Sequence, residues 1–297
     1  MRIKENFLKF MTISLLWSLT FPMVKYVRLN GGFVWAVSFY QCLYSTLLVF
    51  SAFNKNYFRK KLLKKDIGIL ITLGLLRNFI GISILNYLLL TQSVTNVTIA
   101  LLFIPFTTLI LECLFYHFKP NKSQNFGILA SSFCVIILTL QFNQLNHIAW
   151  YHLPLTLLAS IAFSCEAIIL KKINQPIQMI LFWQNLIGAS LLFLLMIILN
   201  HSQTGLSLIK LPPGMYYWIF MVSLLSIIAN KQYIQLTKCV GASISTQINI
   251  MIVILGIGYD ALFYGSAFIR QNLLILCLAV LSTKLILHSD RQIEHHT

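Results

Sequence analysis

The sequence predicts an all-α polytopic membrane protein of ten transmembrane helices, built as two inverted five-helix repeats. Of its 297 residues, 58% are hydrophobic and only 10% are charged, whereas an ordinary soluble domain is about 25% charged. The apolar residues form blocks of about 20, long enough to cross a hydrocarbon layer of about 30 Å as a helix. A third observation is that parts of the second half repeat the first half in order.

Ten apolar blocks are predicted to span the membrane, and the connections between them are short and rich in Gly, Pro, Asn and Lys. The first block follows a basic start but lacks a small-x-small cleavage site, so we expect an uncleaved span. The predicted spans are Lys9–Val27, Phe33–Phe53, Ile67–Leu90, Val94–Tyr116, Asn125–Gln141, Leu153–Leu170, Gln178–Leu199, Tyr216–Leu236, Ala242–Tyr264 and Gln271–Leu287.

The positive charge predicts orientation rather than a nucleic-acid partner, although the formal net charge is +15. Most of the 22 Lys and Arg residues fall in short loops on the side of the two termini. An excess of Lys and Arg marks the cytoplasmic side of a membrane protein. We therefore expect an inner-membrane protein with both termini cytoplasmic. The opposite side carries only Lys25, Arg28, Lys210 and Arg270.

An internal repeat divides the chain into residues 1–146 and 147–297. A shift of 146 positions places "NYLLLTQSV" (Asn86–Val94) on "QYIQLTKCV" (Gln232–Val240), and it also places Lys25 on Lys171. Each half holds five predicted spans. Because five is odd, the second half must enter the membrane with inverted topology, an architecture of many secondary transporters that hold substrate near the midplane. A duplication kept for folding alone is the alternative.

Three segments resemble the EamA branch of the drug/metabolite transporter superfamily. "LLWSLTFPMVK" (Leu15–Lys25) is similar to the opening helix of that family. "SVTNVTIALLFIPFTTLIL" (Ser93–Leu111) and "KCVGASISTQINIMIVILGIGYDALFYGSAF" (Lys238–Phe268) resemble its fourth and ninth helices. The resemblance covers almost the whole chain. It implies a ten-helix transporter of small metabolites or drugs, with a proton or a counter-substrate as further possible partners.

Charged residues inside the predicted spans are candidate functional residues, because a charge at the bilayer centre costs at least about 2.5–3.5 kcal/mol. Glu166 is predicted either to bind substrate or protons, or to form a fixed salt bridge with Arg77. Arg77 suits a substrate carboxylate or phosphate, and a structural pair is the alternative. We expect Glu112 to pair with Lys231 and Asp260 to be hydrated near the outer interface.

Amides and aromatic residues complete the predicted site. Matched amides of the repeat suit a central cavity or helix packing, and aromatic rings can stack on a flat or cationic ligand. The amides are Gln41, Gln184, Asn86 and Gln232, and the rings are Trp17, Tyr40, Trp183, Tyr87 and Tyr233.

The sequence offers no catalytic, metal or cofactor motif inside the apolar blocks. It contains no P-loop for an ATP-driven pump and no H-E-x-x-H or Ser/His/Asp pattern. We therefore expect no enzyme activity, no cofactor and no metal. An integral-membrane enzyme acting on lipid-linked substrates, or a non-transporting membrane scaffold, is the alternative from another class.

Overall fold

The computed structural model describes residues 2–52, 64–116, 126, 152–201, 210–265 and 277. These ranges contain helices and short connections and no strand. Eight helices in them are long and apolar enough to span a membrane: Glu5–Leu29, Val34–Ser51, Asp66–Thr91, Val94–Tyr116, His152–Lys172, Ile177–Leu199, Met215–Val240 and Ala242–Tyr264. They coincide with eight of the ten predicted spans. The fifth and tenth, Asn125–Gln141 and Gln271–Leu287, lie outside the described residues apart from residues 126 and 277.

Five of the eight described spans, namely the first, second, sixth, seventh and eighth, are single helices, and the third, fourth and ninth are each divided into shorter helices. The helices are α1 (Arg2–Leu29), α2 (Val34–Ser51), α3 (Lys64–Gly74), a π-helix (Leu75–Ile82), α4 (Ser83–Thr91), α5 (Val94–Ala100), α6 (Phe103–Tyr116), α7 (His152–Lys172), α8 (Ile177–His201), α9 (Met215–Val240), α10 (Ala242–Thr246) and α11 (Ile248–Tyr264).

The third span contains a π-helix between α3 and α4. Its wider turn is supported by Ser83, whose hydroxyl donates to the carbonyl of Asn78, five residues earlier, at 3.0 Å. The extra residue in a π-helical turn rotates the side chains that follow it about the helix axis, so that they face different neighbours. Such turns are frequent at functional sites. Here the π-helix itself carries Arg77 and Asn78, both buried.

The fourth and ninth spans are each interrupted after a short first helix. Between α5 and α6 the amide of Leu102 donates to the carbonyl of Ile99 at 3.0 Å, and between α10 and α11 the amide of Gln247 donates to the carbonyl of Ile244 at 3.2 Å. These are i→i−3 bonds, the tighter pattern of a 3₁₀ turn. Each of these spans therefore contains a tighter turn where its two helices meet.

Among the described residues, the larger packing interfaces join the two halves of the chain. The first span packs on the eighth and ninth, the second on the seventh and eighth, the third on the sixth and seventh, and the fourth on the sixth and ninth. Apolar side chains such as Leu262 (80% exposed) and Ile198 (69% exposed) cover the outside. In a membrane-spanning bundle such residues face lipid, so the buried polar residues mark the interior.

Close approach of two helices positions the third span against the seventh. A Cβ atom added at Gly188 in α8 would lie 2.5 Å from Cβ of Asn78, and one at Gly74 would lie 2.8 Å from the Ile187 side chain. Small residues let membrane helices approach in this way. The backbone contact brings Asn78 within 2.8 Å of the Gln184 carbonyl, to which its amide donates.

Candidate functional site

A cavity of about 90 Å³ lies between helices of both halves. Its wall combines apolar and aromatic side chains with a small number of convergent polar groups, which is the usual composition of a ligand pocket. The lining residues are Trp17, Thr20, Phe21, Val24, Gln41, Arg77, Ile82, Leu85, Asn86, Leu89, Leu101, Ile104, Phe163, Glu166, Ser226, Asn230, Tyr233, Asn249 and Ile252.

A buried ion pair is the centre of this cavity wall. Nη1 of Arg77 lies 2.8 Å from both carboxylate oxygens of Glu166. Arg77 is 5% exposed and Glu166 is 1% exposed. The arginine comes from the π-helix of the first half, whereas the glutamate comes from α7 in the second half. The predicted salt bridge between these two residues is thus present.

The remaining hydrogen-bonding capacity of the ion pair is largely satisfied by amides. Gln184 donates to Oε1 of Glu166 at 2.8 Å, and Nη2 of Arg77 donates to the side-chain oxygen of Asn230. Nε of Arg77 is buried without a hydrogen-bond partner among the described residues. A desolvated charge needs such partners, because removing one member of a buried pair typically costs about 3–5 kcal/mol.

Aromatic rings from the two halves flank the guanidinium group. The centre of the Arg77 guanidinium lies 5.2 Å from the Trp17 ring and 6.0 Å from the Phe163 ring. Trp17 also packs on Tyr233, with ring centroids 5.0 Å apart. These rings stabilise the cation through their π faces. They also offer flat surfaces to any ligand in the cavity.

A second polar cluster links the second, third and eighth spans. Asn86 donates to Ser38 at 3.0 Å and to the side-chain oxygen of Gln41 at 3.3 Å. Gln41 in turn donates to Ser226 at 3.5 Å, and the Ser223 hydroxyl donates to the Gln41 carbonyl at 3.0 Å. These hydrogen bonds hold the second, third and eighth spans together at one wall of the cavity, and the side chains of Gln41 and Asn86 line that wall.

The structure brings most of the predicted site residues together. Six of them line the cavity: Glu166, Arg77, Gln41, Asn86, Tyr233 and Trp17. Gln184 lies outside the lining but bonds to Glu166. Their functional role stays a prediction.

Tyr87, Gln232 and Trp183 lie outside the cavity lining, and Tyr40 packs on Phe39 and Tyr216 instead. Adjacent helical residues are about 100° apart, so Tyr87 cannot share the direction of its neighbour Asn86. In each matched pair only one residue therefore lies in the cavity wall: Asn86 of the pair with Gln232, and Tyr233 of the pair with Tyr87. The π-helix explains the mismatch, since it rotates the residues that follow it relative to the uninterrupted α9.

Several lining residues escaped the sequence analysis. At the predicted repeat shift of 146 positions, Thr20 and Phe163 correspond to Glu166 and Trp17, so that alignment was the signal that could have identified them. Asn230, Asn249 and Ser226 also line the cavity. They are uncharged polar residues in apolar helices, and single residues of that kind are too common in helix interfaces to be singled out.

Two expectations about charged residues were wrong. Glu112 does not pair with Lys231: it accepts a hydrogen bond from Ser243 and lies 3.8 Å from Lys171. Lys231 is exposed and lines a different cleft near Lys9. Asp260 is fully buried rather than hydrated, because the fourth span covers it and Thr95 donates to it.

The described residues contain no group of three or more His, Cys, Asp or Glu side chains placed to hold a metal ion. The cavity instead provides one cation, one anion, amide groups and aromatic faces. Groups of these kinds are chemically able to bind a polar solute through charge and hydrogen bonds.

Comparison with known proteins agrees with the helical architecture. A family model described as the EamA-like transporter family matches residues 7–140. A solved crystal structure superimposes with a TM-score of 0.66 and 11% sequence identity, covering 95% of this chain and 97% of the other; at that identity the likeness concerns the fold alone. The search of curated proteins found no match. Residues 7–140, just under half of the chain, are thus similar to the EamA-like transporter family, whose members are membrane proteins and generally transporters.

Proposed function

We propose that this protein is a secondary active transporter that moves a small metabolite or drug-like solute across the inner membrane by alternating access. The substrate binds in the central cavity, beside the Arg77–Glu166 pair, between two inverted five-helix repeats that comprise residues 1–146 and 147–297. Both termini lie in the cytoplasm in this proposal. The driving gradient is that of the substrate, a proton or a counter-substrate.

The ion pair carries the proposal. Arg77 and Glu166 are in contact at 2.8 Å, they line the cavity, and they belong to different halves of the chain. Charged groups are costly inside a membrane and usually serve a transport path or a partner. When a substrate with a charged or strongly polar group enters, it replaces part of this contact. Binding is thereby linked to the relative position of the two halves.

Exchange symmetry of the helix packing supports the repeat. If the first four spans are exchanged for spans six to nine, every major contact between the halves maps onto another observed contact. For example, the packing of the first span on the eighth maps onto the packing of the sixth on the third, and the contact of the second with the seventh maps onto itself.

Part of the cavity wall supports the same symmetry. Trp17 and Phe163 differ by 146 positions, as do Thr20 and Glu166, and all four line the cavity. In the interrupted fourth and ninth spans the shift is 148 positions. It relates Leu101 to Asn249 and Ile104 to Ile252, four further residues of the lining. A cavity on a pseudo-two-fold axis is where repeat transporters bind their substrates.

Uptake into proteoliposomes tests the function. Compounds that raise the melting temperature of the purified protein are identified first, since a ligand of the folded state stabilises it by mass action. We expect the protein to exchange such a radiolabelled compound across the membrane. Glu166→Gln should abolish or uncouple this exchange while the protein still inserts and remains folded.

Glu5→Gln is the matched control, because it makes the same chemical change at a carboxylate whose side chain is 63% exposed. Equal exchange by wild type, Glu166→Gln and Glu5→Gln would refute the assignment of the site. Chemical turnover of the compound without translocation would support a membrane enzyme instead. A non-transporting scaffold would be supported if the protein neither bound nor exchanged any compound and also tolerated apolar substitutions at Arg77 and Glu166.

A further inference from the structure

Asp260 and Thr95 join the ninth and fourth spans at one end of the bundle. Oδ2 of Asp260 accepts hydrogen bonds from the Thr95 hydroxyl at 2.7 Å and from the Thr95 amide at 3.1 Å. Lys25 of α1 interacts electrostatically with Asp260, and its Nζ lies 4.8 Å from the centre of the Tyr264 ring. We refer to Lys25, Thr95, Asp260 and Tyr264 as the Asp260 cluster.

A corresponding set of residues joins the same two spans elsewhere. The Ser243 hydroxyl donates to Oε2 of Glu112, and Nζ of Lys171 lies 3.8 Å from Oε1 of the same carboxylate. Tyr116 completes the set, since the neighbouring Lys172 lies 3.8 Å above its ring. These residues, Lys171, Lys172, Ser243, Glu112 and Tyr116, form the Glu112 cluster.

The two clusters are copies of one another in the internal repeat. "ECLFY" (Glu112–Tyr116) lies 148 positions before "DALFY" (Asp260–Tyr264), and the same shift relates Thr95 to Ser243. Lys25 and Lys171 correspond at the shift of 146. In each cluster, the carboxylate near the end of one span therefore meets the hydroxyl near the start of its counterpart, with a lysine and a tyrosine beside it.

The clusters lie at opposite ends of the bundle. Thr95 and Glu112 are separated by about 25 Å along the fourth span, at a rise of 1.5 Å per residue. Because the start of each span contacts the end of the other, the two spans run antiparallel. The central cavity lies between the clusters, as Leu101, Ile104, Asn249 and Ile252 in the middle of both spans line it.

The two clusters differ in their degree of closure. Asp260 is 0% exposed and Thr95 is 6% exposed. Nearby, the Tyr264 hydroxyl donates to the carbonyl of Pro22 at 2.7 Å and ties α11 to α1. In the Glu112 cluster the side chain of Lys171 is 51% exposed and that of Glu112 is 12% exposed. The end with Asp260 is thus the more tightly packed.

We propose that the two clusters are paired gates, which close opposite ends of the path to the central cavity in turn. The inference rests on the proposed alternating access and assigns its gates. A carboxylate–hydroxyl contact suits this role, because the hydrogen bond is lost when the spans separate and both groups then gain water as partners. In the state described here both carboxylate–hydroxyl contacts are formed, with the Asp260 cluster the more deeply buried, and breaking either contact favours the state open at that end.

Cysteine accessibility tests the gates without knowledge of the substrate. The reporter is Ser226→Cys, a residue of the cavity wall, in a chain whose six native cysteines are replaced by serine or alanine. A membrane-impermeant thiol reagent is applied to right-side-out and to inside-out vesicles, so that each face is probed separately. Thr95→Val and Ser243→Ala form a matched pair, since each removes one gate hydroxyl.

We expect opposite effects from the two changes. Thr95→Val should increase the labelling rate from the face with Asp260 and decrease it from the other face. Loss of one buried hydrogen bond corresponds to a change of about fivefold in the labelling rate. Ser243→Ala should do the reverse. The shape-conserving changes Asp260→Asn and Glu112→Gln should show the same opposition, so the test remains valid if one variant folds poorly.

The possible failures are distinguishable. Labelling of the wild type from both faces, with no opposed change in either pair of variants, would overturn the gates and leave alternating access intact. Labelling from one face only, in the wild type and in all four variants, would overturn alternating access itself and the gates with it.

Discussion

Glu166 and Asp260 are both carboxylates buried inside the membrane region, but their surroundings differ. Glu166 meets a guanidinium at 2.8 Å and lines the cavity. Asp260 accepts hydrogen bonds from a single threonine and lies between packed helices. Burial is nearly the same for both, so it does not distinguish a binding group from a gate or a structural contact. Partner type and access to a cavity make that distinction.

The largest expected effect comes from breaking the ion pair on one side. Arg77→Ala leaves Glu166 buried and uncompensated, and we expect it to lower the free energy of unfolding by about 3–5 kcal/mol. Chemical denaturation in mild detergent measures this loss. The double variant Arg77→Met with Glu166→Leu should recover most of the stability without recovering transport. A double variant as unstable as Arg77→Ala would contradict this separation of stability from function.

A change behind the cavity wall should reduce binding without altering any charge. A Cβ atom at Gly81 would lie 2.6 Å from the Phe163 ring, which flanks Arg77. Gly81→Ala should therefore displace the ring and weaken ligand binding by about tenfold, equivalent to about 1.4 kcal/mol. Isothermal titration with a ligand from the thermal screen measures the effect. Gly68→Ala is the control, because a Cβ at Gly68 meets nothing within 4 Å.

The two clusters should differ in their contribution to stability. Asp260→Ala leaves the buried donors of Thr95 without their acceptor, and we expect a loss of about 1–3 kcal/mol. Glu112→Ala should cost less, because its ion-pair partner Lys171 is half exposed, exposed pairs contribute little, and the Ser243 hydroxyl that it leaves is only partly buried. Denaturation curves for both variants measure the difference. Equal losses would mean that the two ends are equally packed.

The smallest effect on ligand affinity is expected at Gln232, the repeat counterpart of Asn86, because it lies outside the cavity lining. Gln232→Ala should leave the affinity for a cavity ligand unchanged, whereas Asn230→Ala, two residues earlier in α9, should reduce it by removing the partner of Arg77. Titration of both variants with one ligand gives the comparison. Similar losses at the two positions would place Gln232 in the site after all.

Apolar block length predicted the eight described spans, because the bilayer thickness fixes how long such helices must be. The cost of a charge in the membrane predicted a Glu166–Arg77 salt bridge as one of two alternatives, and the repeat predicted that residues of both halves would line a central cavity. It did not reveal the π-helix, which arises from local packing and alters the direction of Tyr87 relative to its counterpart. A single shift of 146 also concealed the correspondence of Glu112 with Asp260, which needs 148 because two further residues lie between Thr237, the counterpart of Thr91, and the start of α10.

Charge partners were the least predictable feature. Glu112 and Lys231 are at similar depth along their helices, yet they face different neighbours, since depth alone does not fix direction around a helix axis. Asp260 lies near the end of its span, where water is the expected partner, and only the three-dimensional packing of the fourth span against the ninth shows that it is covered.

The central claim is that the Arg77–Glu166 cavity is the place where substrate binds. Thermal unfolding of the purified protein across a metabolite library tests it most directly, with wild type, Glu166→Gln and Gln232→Ala measured side by side. We predict that a compound which raises the melting temperature of the wild type will also raise that of Gln232→Ala, and will have no effect on Glu166→Gln. The same rise in all three proteins would contradict the claim.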